Sequence, residues 1–380
     1  MKKIRLMMIG GGIGAFIGGA HRRAAGLSNS YEFIGGVPDA DPEKGKQFAI
    51  QEGLDLSRIY PNVDEMIKAE LALPAGERAE AVAIVTPNHL HYKFAKVLIE
   101  NNFHVICEKP MTITVEEAED LQRLVEKHKI TFSLTHTYTG YPMVRQMREL
   151  VQKGVLGKIH RIDAQYYQGW MNNIIYENGN NDSGITGVWR LDPKQSGASS
   201  CIGDIGVHAF NLIEYTTGLK VTKVLSDLST VKETVQLDLD GTVLLRFKDN
   251  VRGIVRTSQV AAGEENNISI AIYGSKASLK WEQENPNYLY QISDTEPTKI
   301  YKPGHGYNAQ FAESSHVMPP GHPEGIYESL GNIYLGAAMS IRGENTNDGQ
   351  FPTVIEGVRG MKFIHTVLES NKNGNIWVDL

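Results

Sequence analysis

Cysteine is scarce in this chain: 380 residues hold two, Cys107 and Cys201. They could pair, but two thiols make no disulfide framework, and a reduced, cytoplasmic setting is the expectation. Long apolar runs are missing too. None approaches the roughly 20 residues that cross a bilayer, which argues against a membrane span. Met1-Lys2-Lys3 followed by apolar Ile4–Ile9 has the beginnings of a signal peptide, but the run meets Gly10-Gly11-Gly12 at once. A buried strand entering a tight loop explains it better. Positive charge is not in excess either: 38 Lys and Arg against 44 Asp and Glu leave a net charge of −6. That gives no footing for nucleic acid or an anionic membrane. Low-complexity segments and internal repeats are absent. What remains, 41% hydrophobic and 22% charged, is the composition of a globular protein, and its length calls for two domains.

The first stretch alternates strands and helices. Strands are predicted at Ile4–Ile9, Tyr31–Val37, Ala81–Val85, His104–Cys107 and Thr131–Leu134. Helices are predicted at Phe16–Leu27, Glu43–Glu52 and Val63–Ala72, then from an Asn88 cap to Asn101, and from a Thr114/Glu117 capping box through Lys127. Several strands are apolar on both faces. That is the mark of a parallel, doubly wound sheet. The pattern then changes. A helix over Val144–Lys153 and an alternating strand over His160–Gln168 precede a long polar passage, Trp170 to Ser200. Its length argues for a functional loop. A helix over Asp204–Thr217 with Gly218 as its C-terminal cap follows, then β-rich runs between Val221 and Trp281, and helices near Ile326–Ile341 and Val354–Ser370. The expected architecture is an N-terminal α/β domain over 1–136 and an α+β domain over 137–380. The second carries a large, open-faced, mainly antiparallel sheet, a cleft separates the two, and the final helices are able to pack back on the first domain.

Gly10-Gly11-Gly12-Ile13-Gly14-Ala15 fits G-x-G-x-x-A, with Gly10, Gly12 and Ala15 as its fixed positions. The loop follows a buried strand and opens a helix, the context in which backbone N–H groups and a helix N-terminus hold a dinucleotide pyrophosphate. The extra glycines leave the register open, since Gly12-Ile13-Gly14 is also possible. Asp39, after the second strand, suits the adenosine ribose hydroxyls and would repel a 2′-phosphate, so NAD is favoured over NADP. Asp41 competes for that role, and Asp39 could equally be a turn residue between prolines. Arg22 and Arg23 read as surface residues.

Lys109, in Cys107-Glu108-Lys109-Pro110, ends an apolar run. Beside a cationic nicotinamide its ammonium charge would be disfavoured, which suits proton exchange near neutral pH. Asp204 and His208 are four apart and share a helix face, with His208 at the border of a core stripe of Ile205, Ala209, Leu212 and Ile213. Hydride transfer from an alcohol needs a base for the hydroxyl proton. His208 can take it, Lys109 can share it, and Asp204 can hold the hydroxyl. As structural alternatives, Asp204 is a helix cap and His208 a core histidine. His89 and His91 complete no metal ligand set, and His91 could serve a helix start or border the nicotinamide.

Taken together, Gly10–Ala15, Thr86-Pro87-Asn88-His89-Leu90-His91, Glu108-Lys109-Pro110 and Gly203-Asp204-Ile205-Gly206-Val207-His208 resemble the Gfo/Idh/MocA family, the glucose–fructose oxidoreductase and inositol dehydrogenase group. The resemblance implies a Rossmann domain binding NAD, with Gly10, Gly12, Ile13, Gly14, Asp39, Thr86, Asn88, His91, Glu108 and Lys109 on the cofactor. It also implies Lys109, Asp204 and His208 as catalytic residues, and a homodimer or homotetramer assembled through the open sheet. Further strings, such as Tyr138-Thr139-Gly140-Tyr141, Trp189-Arg190-Leu191-Asp192-Pro193 and Pro319–Gly325, are similar to the levoglucosan dehydrogenase and sugar 3-dehydrogenase branch. They suggest Tyr138, Tyr141, Trp189, Arg190 and His322 as sugar contacts beside Lys109, Asp204 and His208. The expected activity is NAD-dependent oxidation of a secondary hydroxyl on a cyclic polyol or pyranoside. Alternatives are an NAD-dependent glycosidase working by transient oxidation, and a non-catalytic NAD-binding regulatory protein. No twin-arginine leader marks the chain for export. No metal, nucleic acid or membrane partner is expected.

Overall fold

The computed structural model describes residues 2–177, 188–344, 346 and 349–380. These form two compact units: Met1–Thr137 with Tyr327–Val358, and Tyr138–Ile326 with Arg359–Leu380.

In the first unit, β1 (Ile4–Gly10), β2 (Tyr31–Val37), β3 (Ala81–Val85), β4 (His104–Cys107) and β5 (Phe132–Leu134) form a parallel sheet in the order β2-β1-β3-β4-β5. Ala81–Val85 is buried along its whole length, as a strand covered on both faces must be. The order reverses at β1, so ligands are expected at the carboxyl ends of β1 and β3. The Ile326–Ile341 helix comes from the far end of the chain, yet Leu330, Ile333, Tyr334 and Ala338 belong to one apolar cluster with Ile4, Leu6, Met8, Ala24 and Ala83. Each such large side chain, fully buried, stabilises by roughly 1.5–3 kcal/mol. The helix is therefore a constituent of the first core.

Two helix starts refine the sequence reading. Thr114 Oγ1 accepts the Glu117 N–H at 3.2 Å, while the Glu117 carboxylate reaches Ile113 N–H, also at 3.2 Å. Asn88, by contrast, does not cap the next helix. After Pro87, the residues Asn88–Leu90 close a 3-10 turn, and the α-helix runs His91–Glu100 with Leu90 at its cap position and no side-chain cap bond.

In the second unit a nine-stranded sheet runs β13-β12-β11-β10-β6-β9-β8-β7-β14. Its strands are β6 (Ile159–Tyr167), β7 (Val221–Ser229), β8 (Asp240–Phe247), β9 (Arg252–Ser258), β10 (Asn267–Gly274), β11 (Ser278–Glu282), β12 (Leu289–Ile292), β13 (Lys299–Tyr301) and β14 (Val378–Asp379). Every neighbouring pair is antiparallel except β6 and β9, which run parallel. β6 turns Ile162, Ala164 and Tyr166 inward, where the helices Pro142–Gln152 and Val207–Thr217 cover the sheet. The other face is open and polar, with a concavity of about 320 Å³ bordered by Asp163, Gln165, Arg256, Lys280 and Glu282.

The Val207–Thr217 helix departs from expectation. It is buried on nearly all sides, His208, Asn211 and Glu214 included. The polar residues of so enclosed a helix need partners. Glu214 meets Arg359 at 2.9 Å and Lys220 at 2.8 Å. The cysteines are buried free thiols. No described helix is long and apolar enough to cross a membrane.

Candidate functional site

The carboxyl ends of the parallel strands gather most of the residues singled out for a dinucleotide. Gly10 and Gly11 turn the chain out of β1 at φ +81° and +76°, a region that side chains resist. A Cβ on Gly10 would press on Thr86 Cγ2 and the Val85 carbonyl at 3.0 Å. Gly12 lies against the loop after β2, its N–H donating to Pro38 O at 3.0 Å. Gly14 also holds φ +78°, with open space around it. The register that the extra glycines leave open turns on the third fingerprint position. Ala15 stands at the N-cap of the Phe16–Leu27 helix. The close approach of helix to loop belongs to Gly18, where a Cβ would run into the Gly11 carbonyl and Cα. The run of glycines is thus a longer loop than G-x-G-x-x-A describes.

Several observations show that a dinucleotide fits here. The first helix has no side-chain cap and no acidic residue in its first turn, so its leading N–H groups remain a site for an anion. Thr86 Oγ1 and His89 Nδ1 are buried without a protein hydrogen-bond partner, as polar atoms awaiting a ligand would be. Asp39 is half-buried and accepts the Asp41 N–H at 2.9 Å, while Asp41 caps the Pro42–Glu52 helix through Glu43 N–H at 2.9 Å. Capping commits Asp41 to the helix and favours Asp39 for the ribose. Arg22 donates to Gly11 O at 2.8 Å, pairs with Glu52 at 3.2 Å and stacks on Phe48. It braces the loop from behind.

Around Lys109 the residues are sealed and wired. His91 is fully buried. Its Nδ1 faces Pro110 O and its Nε2 faces Thr86 O, both at 2.8 Å. The ring is wedged between the loops after β3 and β4, burial holds its pKa down, and the neutral ring donates to one of the two carbonyls at a time. Glu108 accepts from His21 Nε2–H at 3.0 Å and from the Thr135 hydroxyl. Burial alone would raise its pKa. The His21 bond and charge, the Lys109 ammonium and the Thr135 bond outweigh it and bring the carboxyl to about 2. His136, just past β5, is pushed down to about 3 by burial and then by the Lys109 charge. His21, Thr135 and His136 were invisible in the motif reading, because nothing in their spacing ties them to Lys109.

The second unit builds its cluster on an irregular turn. Asp204 lies in a π-turn, Ile202–Gly206, that precedes the α-helix bearing His208. The i,i+4 face argument assumes a regular helix. A wide turn carries an extra residue and is a recurrent feature of functional sites. Glycines at 203 and 206 give it room. Asp238, buried, anchors the approach by accepting Ser200 N–H at 3.1 Å and Ile202 N–H at 2.7 Å. Gln259 then fixes Asp204. Its Oε1 accepts the Ser200 hydroxyl at 3.1 Å, and its Nε2–H donates to Asp204 Oδ2 at 2.9 Å. Arg190 pairs with the same carboxylate at 3.1 Å, its guanidinium lying over the Trp189 ring at 4.6 Å and the Trp170 ring at 5.8 Å. Asp204 therefore does more than cap a helix.

His208 is framed by phenols: Tyr138 edge-on at 5.0 Å between centroids and Tyr166 at 6.2 Å. The Tyr138 and Tyr166 hydroxyls meet at 2.5 Å, Tyr166 donates to Asn266 Oδ1 at 2.7 Å, and Asn266 continues to Gln283 and Tyr141. Burial, then Tyr138 and the Asp204 charge, push the Tyr166 phenol pKa up, so it stays a donor. Of the suggested sugar contacts, Tyr138, Trp189 and Arg190 join Asp204 and His208. Tyr141 sits behind them at 1% exposure, against Trp281. His322 is exposed and bonds Pro319 O in its own turn at 3.2 Å. The passage Trp170–Ser200 is described except for 178–187, which lie outside the described residues. Among the described residues no group of three or more His, Cys, Asp or Glu could hold a metal ion.

Residues 4–136 match the "Oxidoreductase family, NAD-binding Rossmann fold", and residues 144–280 match the "GFO/IDH/MocA C-terminal domain". An "Uncharacterized oxidoreductase YfiI" from Bacillus subtilis is 31% identical over 387 residues, covering 100% of this chain and 97% of that protein. The crystal structure of an inositol dehydrogenase homolog complexed with NAD+ from Azotobacter vinelandii is 31% identical, with a TM-score of 0.92 and coverage of 100% and 98%. A levoglucosan dehydrogenase from Pseudarthrobacter phenanthrenivorans is 28% identical over 230 residues, 55% of this chain and 56% of that protein.

Proposed function

The chain belongs to the Gfo/Idh/MocA family of NAD-binding oxidoreductases, and we propose that it oxidises a secondary hydroxyl of a cyclic polyol or pyranoside to the ketone. The observation that carries this reading is the group around Asp204 and His208: an ion-paired carboxylate, a buried imidazole and a surround of Trp, Tyr and Arg edges. Flat apolar faces with hydrogen-bonding rims suit a polyhydroxylated ring. NAD supplies the hydride acceptor. His208 takes the hydroxyl proton, Asp204 holds and orients that hydroxyl, and Lys109 shares the proton or polarises the forming carbonyl. Gln259 and Arg190 keep Asp204 in one place. Lys109, from the first unit, must act on the same hydroxyl for the reading to hold.

Support for the substrate class comes from the relatives. One is named levoglucosan dehydrogenase, and an inositol dehydrogenase homolog was crystallised with NADH and myo-inositol. The open polar face of the nine-stranded sheet suits a dimer or tetramer of this chain, which light scattering on the purified protein would reveal. The decisive experiment is an NADH-absorbance screen over inositol isomers, glucosides and anhydrosugars, with NAD and with NADP. NADH accumulation with a cyclic polyol or pyranoside, faster with NAD, is expected. Glycoside cleavage without net NADH, or tight NAD binding without turnover on any of them, would sink the dehydrogenase reading.

A further inference from the structure

Four distant segments of the first unit form one hydrogen-bonded chain around the Glu108 carboxylate. His21 comes from the helix that begins at the glycine loop, Glu108 from the end of β4, Thr135 from the end of β5, and Tyr334 from the Ile326–Ile341 helix. His21 is completely buried. Its Nε2–H donates to Glu108 Oε1 at 3.0 Å, its Nδ1 meets the Tyr334 hydroxyl at 2.8 Å, and Tyr31 ties the same helix through Tyr334 O at 3.1 Å. An ionised carboxylate so placed is costly unless its partners are well arranged.

The arrangement is one-sided. His21 and Thr135 both bond Oε1, and among the described residues none bonds Oε2. The Glu108 side chain keeps 12% exposure. One oxygen is locked by protein, and the other keeps its acceptor capacity beside Lys109.

We propose that His21, backed by Tyr334, is the positioning residue for Glu108, fixing one carboxylate oxygen so that the other accepts a hydrogen bond from the nicotinamide half of the dinucleotide. This rests on the reading of Glu108 as a cofactor-side residue and is independent of the substrate. The pair also links two places the cofactor must satisfy together, because the helix carrying His21 presents its N-terminus to the pyrophosphate loop.

Other ionisable groups face Glu108: Lys109 beside it, His91, His136, Cys107 and Tyr334. Burial pushes the two histidines down, His136 to about 3, and the Cys107 thiol and Tyr334 phenol up. Over pH 4.5–8, none of His136, Cys107 and Tyr334 should change charge.

The test is NAD+ affinity measured by calorimetry without substrate, from about pH 4.5 to 8, on full-length His21→Gln, His21→Asn, His21→Phe and Tyr334→Phe. Glutamine can place an N–H where Nε2 stands, and asparagine cannot. His21→Asn and His21→Phe should bind roughly 10- to 100-fold more weakly, the scale of losing a bond to a charged group. They should also weaken further toward acid, because burial then raises the Glu108 pKa. His21→Gln should restore affinity to within about threefold and flatten the pH profile, and Tyr334→Phe should fall between. Wild-type affinity with a flat profile in His21→Asn and His21→Phe would overturn the proposal. So would equal losses in His21→Gln and His21→Asn, which would mark a purely structural histidine. If His21→Phe fails to fold, the Gln and Asn pair decides. Binding is read without turnover, so failure here is separable from failure of the dehydrogenase reading.

Discussion

The two clusters are built from different materials. Around the glycine loop of the first unit the ligand-facing features are backbone: glycine φ angles, an uncapped helix start, and loops leaving strands in a fixed order. In the second unit they are side chains held by other side chains, with Asp238 and Gln259 from one part of the sequence steering Asp204 in another. Backbone sites answer to single atoms of added bulk. Side-chain sites answer to lost hydrogen bonds. Substitutions in each should therefore fail in different ways.

The largest effect is expected at Gly18. A Cβ there meets the Gly11 backbone, and backbone cannot step aside as a flexible side chain can. Gly18→Val should abolish measurable NAD binding and destabilise by roughly 3 kcal/mol or more, in the range of overpacking and backbone strain. Calorimetry and thermal unfolding would report both. A variant with wild-type affinity would break the claim that the loop is a backbone site. Next in size, Lys109→Ala should lower turnover by roughly 10²- to 10⁴-fold, the worth of a positioned proton-transfer group, while NAD binding persists. Undiminished turnover would remove Lys109 from the chemistry.

On the second-unit side, Gln259→Leu is the sharper probe. It removes the donor to Asp204 and the acceptor of Ser200 without adding charge. Losing bonds of this kind costs about 1–3 kcal/mol, or roughly 10- to 100-fold in turnover. NAD affinity should stay unchanged, since the side-chain bonds that Gln259 makes are to Ser200 and Asp204. Equal losses in NAD binding and turnover would erase the distinction between the clusters.

The same contrast explains what could be read in the chain beforehand. The bounds of β2, β3 and β4, and of the Phe16–Leu27 and Val63–Ala72 helices, follow from apolar runs and local punctuation, and the structure repeats them. Glu108-Lys109-Pro110 and Asp204 with His208 stand out because their chemistry is crowded into a few positions. The fingerprint register stays open in the sequence because glycines alone do not say which one a helix will press against. The π-turn at Ile202–Gly206 escaped because two glycines permit an extra residue without announcing it. Tyr166, Asn266, Gln259 and His21 escaped for a more general reason. Each meets the site through tertiary packing across 55 to 100 residues of sequence, and no local spacing encodes such pairs.

The smallest effect separates two aspartates that sequence could not rank. Asp41 caps a helix through Glu43 N–H, and Asp39 closes a turn through Asp41 N–H. Removing a cap costs about 1 kcal/mol, so Asp41→Ala should lower thermal stability slightly and leave the preference for NAD over NADP intact. Asp39→Ala should do the reverse. With its charge gone, a 2′-phosphate meets no repulsion, and the ratio of NAD to NADP affinity should fall by roughly tenfold, the equivalent of about 1.4 kcal/mol. Should Asp41→Ala relax the preference instead, the cap and the ribose ligand would be the same residue.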